Sequence, residues 1–367
     1  MRASTFYKKE GHEVEFIKGL NKDREKIDLI CITSLFTYWH EDVIKTIKYY
    51  QKYYPKTEIR VGGIFASLMK DHVEKHTGIK PHYGLVSEWE ACPPDCDGFP
   101  PADYSITFTS RGCVNKCAYC VVPKLEGEIQ CRDWIADIDT NKKTIIFLDN
   151  NWLAKPQADF EEDVRLLKSL CSKGIKRIDF NQSLDARLFT EERATSLIGT
   201  PFGPLRFAWD HKDHDGHVPK AIKLAQKLKI CRKGDWKSQA FYHRAAILVL
   251  YNFNERPQEF YHRIREIISL GASACPMKFA PIDSLEKAYV GKHWTKNQVH
   301  AVKKIAGNQG IIHVESKQEF ESMWGKDEKE FMRIINYPVS KLSLLVKARR
   351  ERHTRKNANI AYDNLLK

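Results

Sequence analysis

No stretch of this 367-residue chain reaches the roughly 18 consecutive uncharged, apolar residues that a membrane-crossing helix needs. Its first residues, "MRASTFYKKEGHEVEF", also lack the apolar segment and small-residue cleavage site of a secretory signal. These absences set the expectation of a cytoplasmic protein with no membrane partner. Net basic charge is small over most of the sequence too. Of a formal net charge of +13, about half falls in the last 28 residues, around "KARRERHTRK", so the excess describes a tail better than a fold. Cysteine, by contrast, is plentiful. Ten of them in a reducing compartment point to metal binding and buried packing rather than disulfides.

The length suits two packed units. Over residues 1–90, "KIDLICITSLF" reads as a buried strand, 41–54 as a helix and "TEIRVGGIF" as a second strand ending in Gly62-Gly63, with a further helix from about Ala66. Such apolar strands favour a parallel sheet covered on both faces. The Pro-bearing stretch "ACPPDCDGFPPADY" breaks this periodicity and predicts a linker over 91–104. Six short apolar runs follow, "ITFTS", "TIIFLD", "RIDFN", "LRFAW", "AILVLY" and "PMKFA", most of them separated by helical patterns. That rhythm over 105–290 predicts a parallel barrel or part of one, and 291–367 reads as a helical, basic extension. In such a fold the chemistry gathers at the carboxyl ends of the strands.

Directly after the first run stands "SRGCVNKCAYC", three cysteines in the spacing C-x3-C-x2-C. Thiolates select zinc, copper(I) or iron–sulfur clusters, and three of them leave one metal position open, as a catalytic centre requires. The residues alone leave open a structural zinc site completed by Cys92, Cys96 or Cys131, or cysteines that merely pack. Cys113, Cys117 and Cys120, with Tyr119 before the third, resemble the signature of the radical S-adenosylmethionine (SAM) superfamily. The likeness spans roughly residues 104–283.

That resemblance implies an α/β protein with a partial (β/α)6 TIM-like barrel behind a small Rossmann-like domain. The three thiolates would hold a 4Fe-4S cluster whose fourth iron binds SAM, and a reductant such as flavodoxin or ferredoxin would supply the electron. Reductive cleavage of SAM would then yield a 5'-deoxyadenosyl radical that abstracts hydrogen from a substrate the sequence does not identify. Tyr119 would lie against the adenine. Asp149, Asn150 and Asn151, after the second run, would accept hydrogen bonds from the methionine amino group, although strand-to-helix turns favour Asn and Asp in any case.

The third run ends in Asn181, Gln182, Ser183, Asp185 and Arg187. These residues suit ribose hydroxyls, the SAM carboxylate or substrate, with an Asp185–Arg187 surface pair as the plain alternative. Tyr251 and Asn252 occupy the adenine position of the fifth run without the family's usual glycine pattern, and Lys278, Phe279 and Pro281 follow the sixth. "WDHKDHDGH" reads as a solvated capping loop from which Asp210 alone remains a candidate. Cys92, Cys96, Cys131 and Cys275 would be the thiols of an auxiliary cluster.

The amino-terminal unit resembles the cobalamin-binding domain of many radical SAM enzymes, but no Asp-x-His-x-x-Gly occurs, and the family's opening strand has no counterpart. Cobalamin therefore binds without a protein histidine or the domain is a remnant, and the missing ligand favours the remnant. Two other functions stay open. One is a methyl or methylthio transferase acting on RNA, suggested by "CAYCVVP". The other is a metal-stapled nucleic-acid-binding protein without turnover, whose basic tail would contact phosphates.

Overall fold

The computed structural model describes every residue except 98–101, 234–243, 287, 308–311, 313–316, 349–350 and 352–367. Most of the basic stretch 347–356 thus lies outside the described residues. The fold is mixed α/β, and its packing divides the chain into two units, 1–188 with 199–201 and 281–289, and 189–198 with 202–280 and 290–367. Among the described residues no helix is long and apolar enough to cross a membrane.

The first unit begins with α1 (Arg2–Lys9), followed by β1 (Leu29–Ser34), α2 (His40–Tyr53), β2 (Glu58–Gly63), α3 (Ile64–Leu68), α4 (Lys70–Thr77) and α5 (Ser87–Glu90). β1 and β2 pair in parallel with Ser34 opposite Gly63. Gly63 sits at φ +94°, and a Cβ there would come within 2.2 Å of the Ser34 carbonyl oxygen, so only glycine fits the step from strand into α3. α2 turns Ile44, Ile47 and Tyr50 inward at helical spacing. Ile44 and Ile47 join Val61, Phe65, Ala66 and Val73 in one cluster, onto which Leu285 packs from the returning segment. Burying each large aliphatic there stabilises the unit by about 1.5–3 kcal/mol.

The same unit continues with β3 (Tyr104–Thr107), β4 (Ser110–Arg111), α6 (Val122–Leu125), β5 (Gln130–Cys131), β6 (Thr144–Phe147), α7 (Gln157–Ser172) and β7 (Arg177–Phe180). β3, β6 and β7 form a parallel sheet in that order, with Thr107, Phe147 and Phe180 level at their carboxyl ends. Phe147 and Phe180 stack at 4.8 Å, and Trp152 stacks on Phe180 at 4.4 Å. This aromatic floor is buried and underlies the loops that follow the strands.

In the second unit lie α8 (Glu191–Ser196), β8 (Leu205–Ala208), α9 (His217–Lys227), β9 (Ala245–Tyr251), α10 (Pro257–Ser269) and β10 (Ser273–Lys278). α11 (Lys296–Ala306), α12 (Lys317–Trp324) and α13 (Glu328–Ile335) complete it. β8, β9 and β10 are parallel, with β9 in the centre. Phe260, Tyr261, Trp324 and Phe331 fill the interior behind this sheet, and the Tyr261 hydroxyl donates to the Gly325 carbonyl at 2.7 Å. All six apolar runs are therefore strands, three in each unit, and every neighbour pair within the two sheets is parallel.

Candidate metal centre

The cysteine loop starts from a braced backbone. After β6, Asp149 is buried, and its carboxylate accepts from the Thr109 amide at 3.0 Å, the Thr109 hydroxyl at 2.7 Å, the Ser110 amide at 2.8 Å and the Ser110 hydroxyl at 2.9 Å. Burial pushes the Asp149 carboxyl up, against these donors and the Lys155 charge, which favour the carboxylate. Both oxygens are thus engaged within the protein, three residues ahead of Cys113. Lys155, itself buried, donates to the Thr109 hydroxyl at 3.2 Å and to Asp163 at 2.6 Å. Asp163 also accepts from the indoles of Trp134 at 2.8 Å and Trp152 at 2.7 Å. A single polar chain therefore runs from α7 to the start of the loop.

Between β4 and Cys113, Gly112 turns the chain at φ +79°, where a Cβ would lie 2.0 Å from the Glu128 carbonyl oxygen. The Gly112 amide donates to Glu126 at 3.0 Å, and the Asn150 side chain donates to the same oxygen at 2.8 Å. Arg111 makes two bonds to Glu90, at 2.7 and 2.9 Å. The paired β4–β5 ladder, with Ser110 opposite Cys131, holds the return of the loop against its start.

Above this base the side chains of Asn115, Asn151, Asp185 and Arg187 form one polar network that reaches the first cysteine through Asn151. The Cys113 sulfur accepts from the Asn115 amide at 3.4 Å and from the Asn151 side chain at 3.7 Å. Asn151 also reaches Asp185 at 3.3 Å, and Asn115 reaches the same carboxylate at 3.0 Å. Arg187 grips Asp185 in a two-pronged pair at 2.9 and 2.6 Å. Burial acts to raise the Asp185 carboxyl, but the bonds from Arg187 and Asn115 and the Arg187 charge hold it down at about 2. The Arg187 guanidinium is raised chiefly by Asp185, with Cys117 and Tyr119 also acting on it, which places those two loop residues in its field. Asn151 is 3% exposed, and its side-chain carbonyl oxygen has no hydrogen-bond partner. Such an atom costs stability until a donor meets it.

The expected residues therefore fall into groups. Cys113, Asn151, Asp185 and Arg187 meet at one place, with Cys117 and Tyr119 beside Arg187. Asp149 and Asn150 face the base of the loop instead, and Asn181 and Gln182 are exposed. Asn252 belongs to the second unit, where its amide donates to the Phe279 carbonyl at 3.0 Å and accepts from the Gly291 amide at 2.8 Å, bracing two backbone segments. In the loop after β8, Asp213 and His211 pair at 3.1 Å and the Trp209 indole donates to Asp215 at 2.7 Å, a self-capping arrangement near Asp210. Asn115, Glu126 and Lys155 are contributors that the sequence reading passed over. Asn115 had a signal, being the polar residue between the first two cysteines, whereas Glu126 and Lys155 had none. A cavity of about 560 Å³ in the first unit lies elsewhere, lined in part by Lys8, Asp95, Cys96, Asp139 and Lys142.

All ten cysteines are outside disulfides. Among the described residues no group of three His, Cys, Asp or Glu side chains, the Cys113, Cys117 and Cys120 trio included, is already set to hold a metal ion. The donor chemistry at the loop nonetheless suits an iron–sulfur cluster: three soft sulfurs on one short turn, N–H groups donating to the first, and an unsatisfied carbonyl oxygen alongside. No protein-family model matches the chain, and a search of curated proteins returns no similar sequence.

Proposed function

We propose that the chain is a radical SAM enzyme in which Cys113, Cys117 and Cys120 hold a 4Fe-4S cluster with one iron left for S-adenosylmethionine. The observation that carries this reading is the buried, partnerless carbonyl oxygen of Asn151, on the side chain whose nitrogen donates to the Cys113 sulfur. An ammonium is the donor such an oxygen lacks, and the amino acid end of SAM brings one. When bound, the reduced cluster supplies the electron that splits the sulfonium carbon–sulfur bond.

The chain's own residues do the positioning. Asp185 fixes Arg187, Asn115 and Asn151 together, so the loop and the carboxyl ends of β6 and β7 move as one body. Arg187 adds positive charge beside Cys117, which offsets the negative charge that three thiolates would gather. Asp149 and Gly112 fix the direction in which the loop leaves β4. The two parallel three-stranded sheets keep the strand-and-helix order along the chain that a partial (β/α)6 barrel requires.

Anaerobic reconstitution with iron and sulfide tests the proposal, followed by dithionite and SAM. The expected outcome is about four irons per chain and production of 5'-deoxyadenosine that Cys117→Ala abolishes. Tight zinc with no iron uptake would overturn the assignment in favour of a metal-stapled protein without turnover.

A further inference from the structure

A second surface, far along the chain from the cysteines, has its own chemistry. The buried side of α2 is Ile44, Ile47 and Tyr50, so the opposite side faces away from the core. That side carries Lys45, Lys48, Tyr49, Lys52 and Tyr53, spaced i, i+3, i+4, i+7 and i+8, which is one continuous helical stripe. From Val43 to Thr57 the sequence has four lysines and no carboxylate.

The tyrosines are not there to fill the core. Tyr53 is 42% exposed, and its ring lies 4.6 Å from that of Tyr49. Two ammonium groups flank it, Lys52 at 5.4 Å and Lys22 at 5.5 Å from the ring centroid. Lys22 is held near the helix because its loop is tied down. The Asn21 amide donates to the Tyr50 hydroxyl at 3.3 Å and the Arg24 amide to the Tyr54 hydroxyl at 3.4 Å. An exposed aromatic ring bracketed by cations, with a half-buried second ring beside it, matches what an unpaired base and its phosphate present.

We propose that the outward stripe of α2, with Lys22, binds single-stranded nucleic acid. Tyr53 and Tyr49 stack on bases, and Lys22, Lys45, Lys48 and Lys52 neutralise the phosphates on either side. Asp23, which acts on Tyr49, and the exposed Glu41 and Asp42, four and three positions before Lys45 on the same helical face, are opposing charges on this surface and weaken the binding. The inference stands on α2 alone, so it holds or fails independently of any cluster.

The test uses the full chain, tail included, and a fluorescein-labelled 12-nucleotide oligouridylate read by fluorescence anisotropy. Four phosphate contacts on the stripe contribute about −3 to the logarithmic salt slope, and a double Lys48→Glu, Lys52→Glu variant shallows it by about 1.4. Tyr53→Ala weakens binding about tenfold at fixed salt, a loss the lysine contacts alone do not produce. Asp23→Asn tightens it severalfold. A matching duplex binds more weakly than the single strand. Circular dichroism and melting of each variant show that the fold is retained, as expected for exposed positions. Unchanged affinity in both the Tyr53 and the double lysine variants, or equal binding of the duplex, overturns the proposal.

Discussion

At Asp185 a single carboxylate ties three strand-end segments together, and its ionisation sets the pH range over which they hold. Its pKa is held down at about 2, so the folded state favours the charged form. A depressed carboxylate contributes stability that is complete above its ordinary range near 4 and is lost as pH falls toward 2. The stability gap between wild type and Asp185→Asn is therefore expected to shrink by about 2 kcal/mol between pH 5 and pH 2 in urea titrations. A gap constant over that range would show that the Arg187 pair contributes nothing. Gly112 is the other decisive position. Gly112→Ala forces a side chain into the left-handed region against the Glu128 carbonyl, and a cost of at least about 2 kcal/mol is expected, lowering the melting temperature by ~4–8 °C. The Asp185–Arg187 pair was legible in the sequence, whereas Asn115 and Asn151 as further partners of Asp185, and the approach of the Glu128 carbonyl to Gly112, were not. Asp149 shows the same limit, since its place after a strand was legible but its acceptance of Thr109 and Ser110, some forty positions upstream, is a tertiary fact.

Among the elements, the strands were the most legible part. β6, β7, β8 and β9 are short apolar runs because parallel strands are covered on both faces, and that leaves a continuous hydrophobic mark. β4 and β5 leave none, because a two-residue ladder has no period to read, and yet this ladder closes the base of the cysteine loop. α7 is legible as an amphipathic helix, but not as the anchor of Lys155 through Asp163. Removing one partner of a buried ion pair strands the other. Lys155→Met is accordingly expected to cost about 3–5 kcal/mol in urea unfolding, and to speed alkylation of Cys113 in the metal-free protein as Thr109 loosens. Lys155→Arg should recover part of both. Unfolding and alkylation that match wild type would separate this chain of contacts from the loop.

For the whole molecule, the division into units follows packing and not order along the chain. The first unit takes Gly199–Pro201 and Pro281–Tyr289 from beyond residue 188. The Pro201 carbonyl accepts from the Ile178 amide at 2.9 Å, and Leu285 packs on the β1–β2 core. A fragment of residues 1–188 is expected to be cleaved faster by protease than the same residues in the full chain, through loss of about 1 kcal/mol from half-burying Leu285 and of the bond at Pro201. Equal protection would make the returning segment dispensable. No local pattern foretells such a return, because a single leucine in a loop has no periodicity.

That return also has a cost in time. Translation at roughly 5–20 residues per second needs on the order of 5–20 s to travel from residue 188 to residue 289. Throughout that interval the nascent chain holds its three loop sulfurs on a scaffold still missing its last brace. Under the function proposed above, cluster delivery and oxidative damage would compete for them on the ribosome, before synthesis has ended.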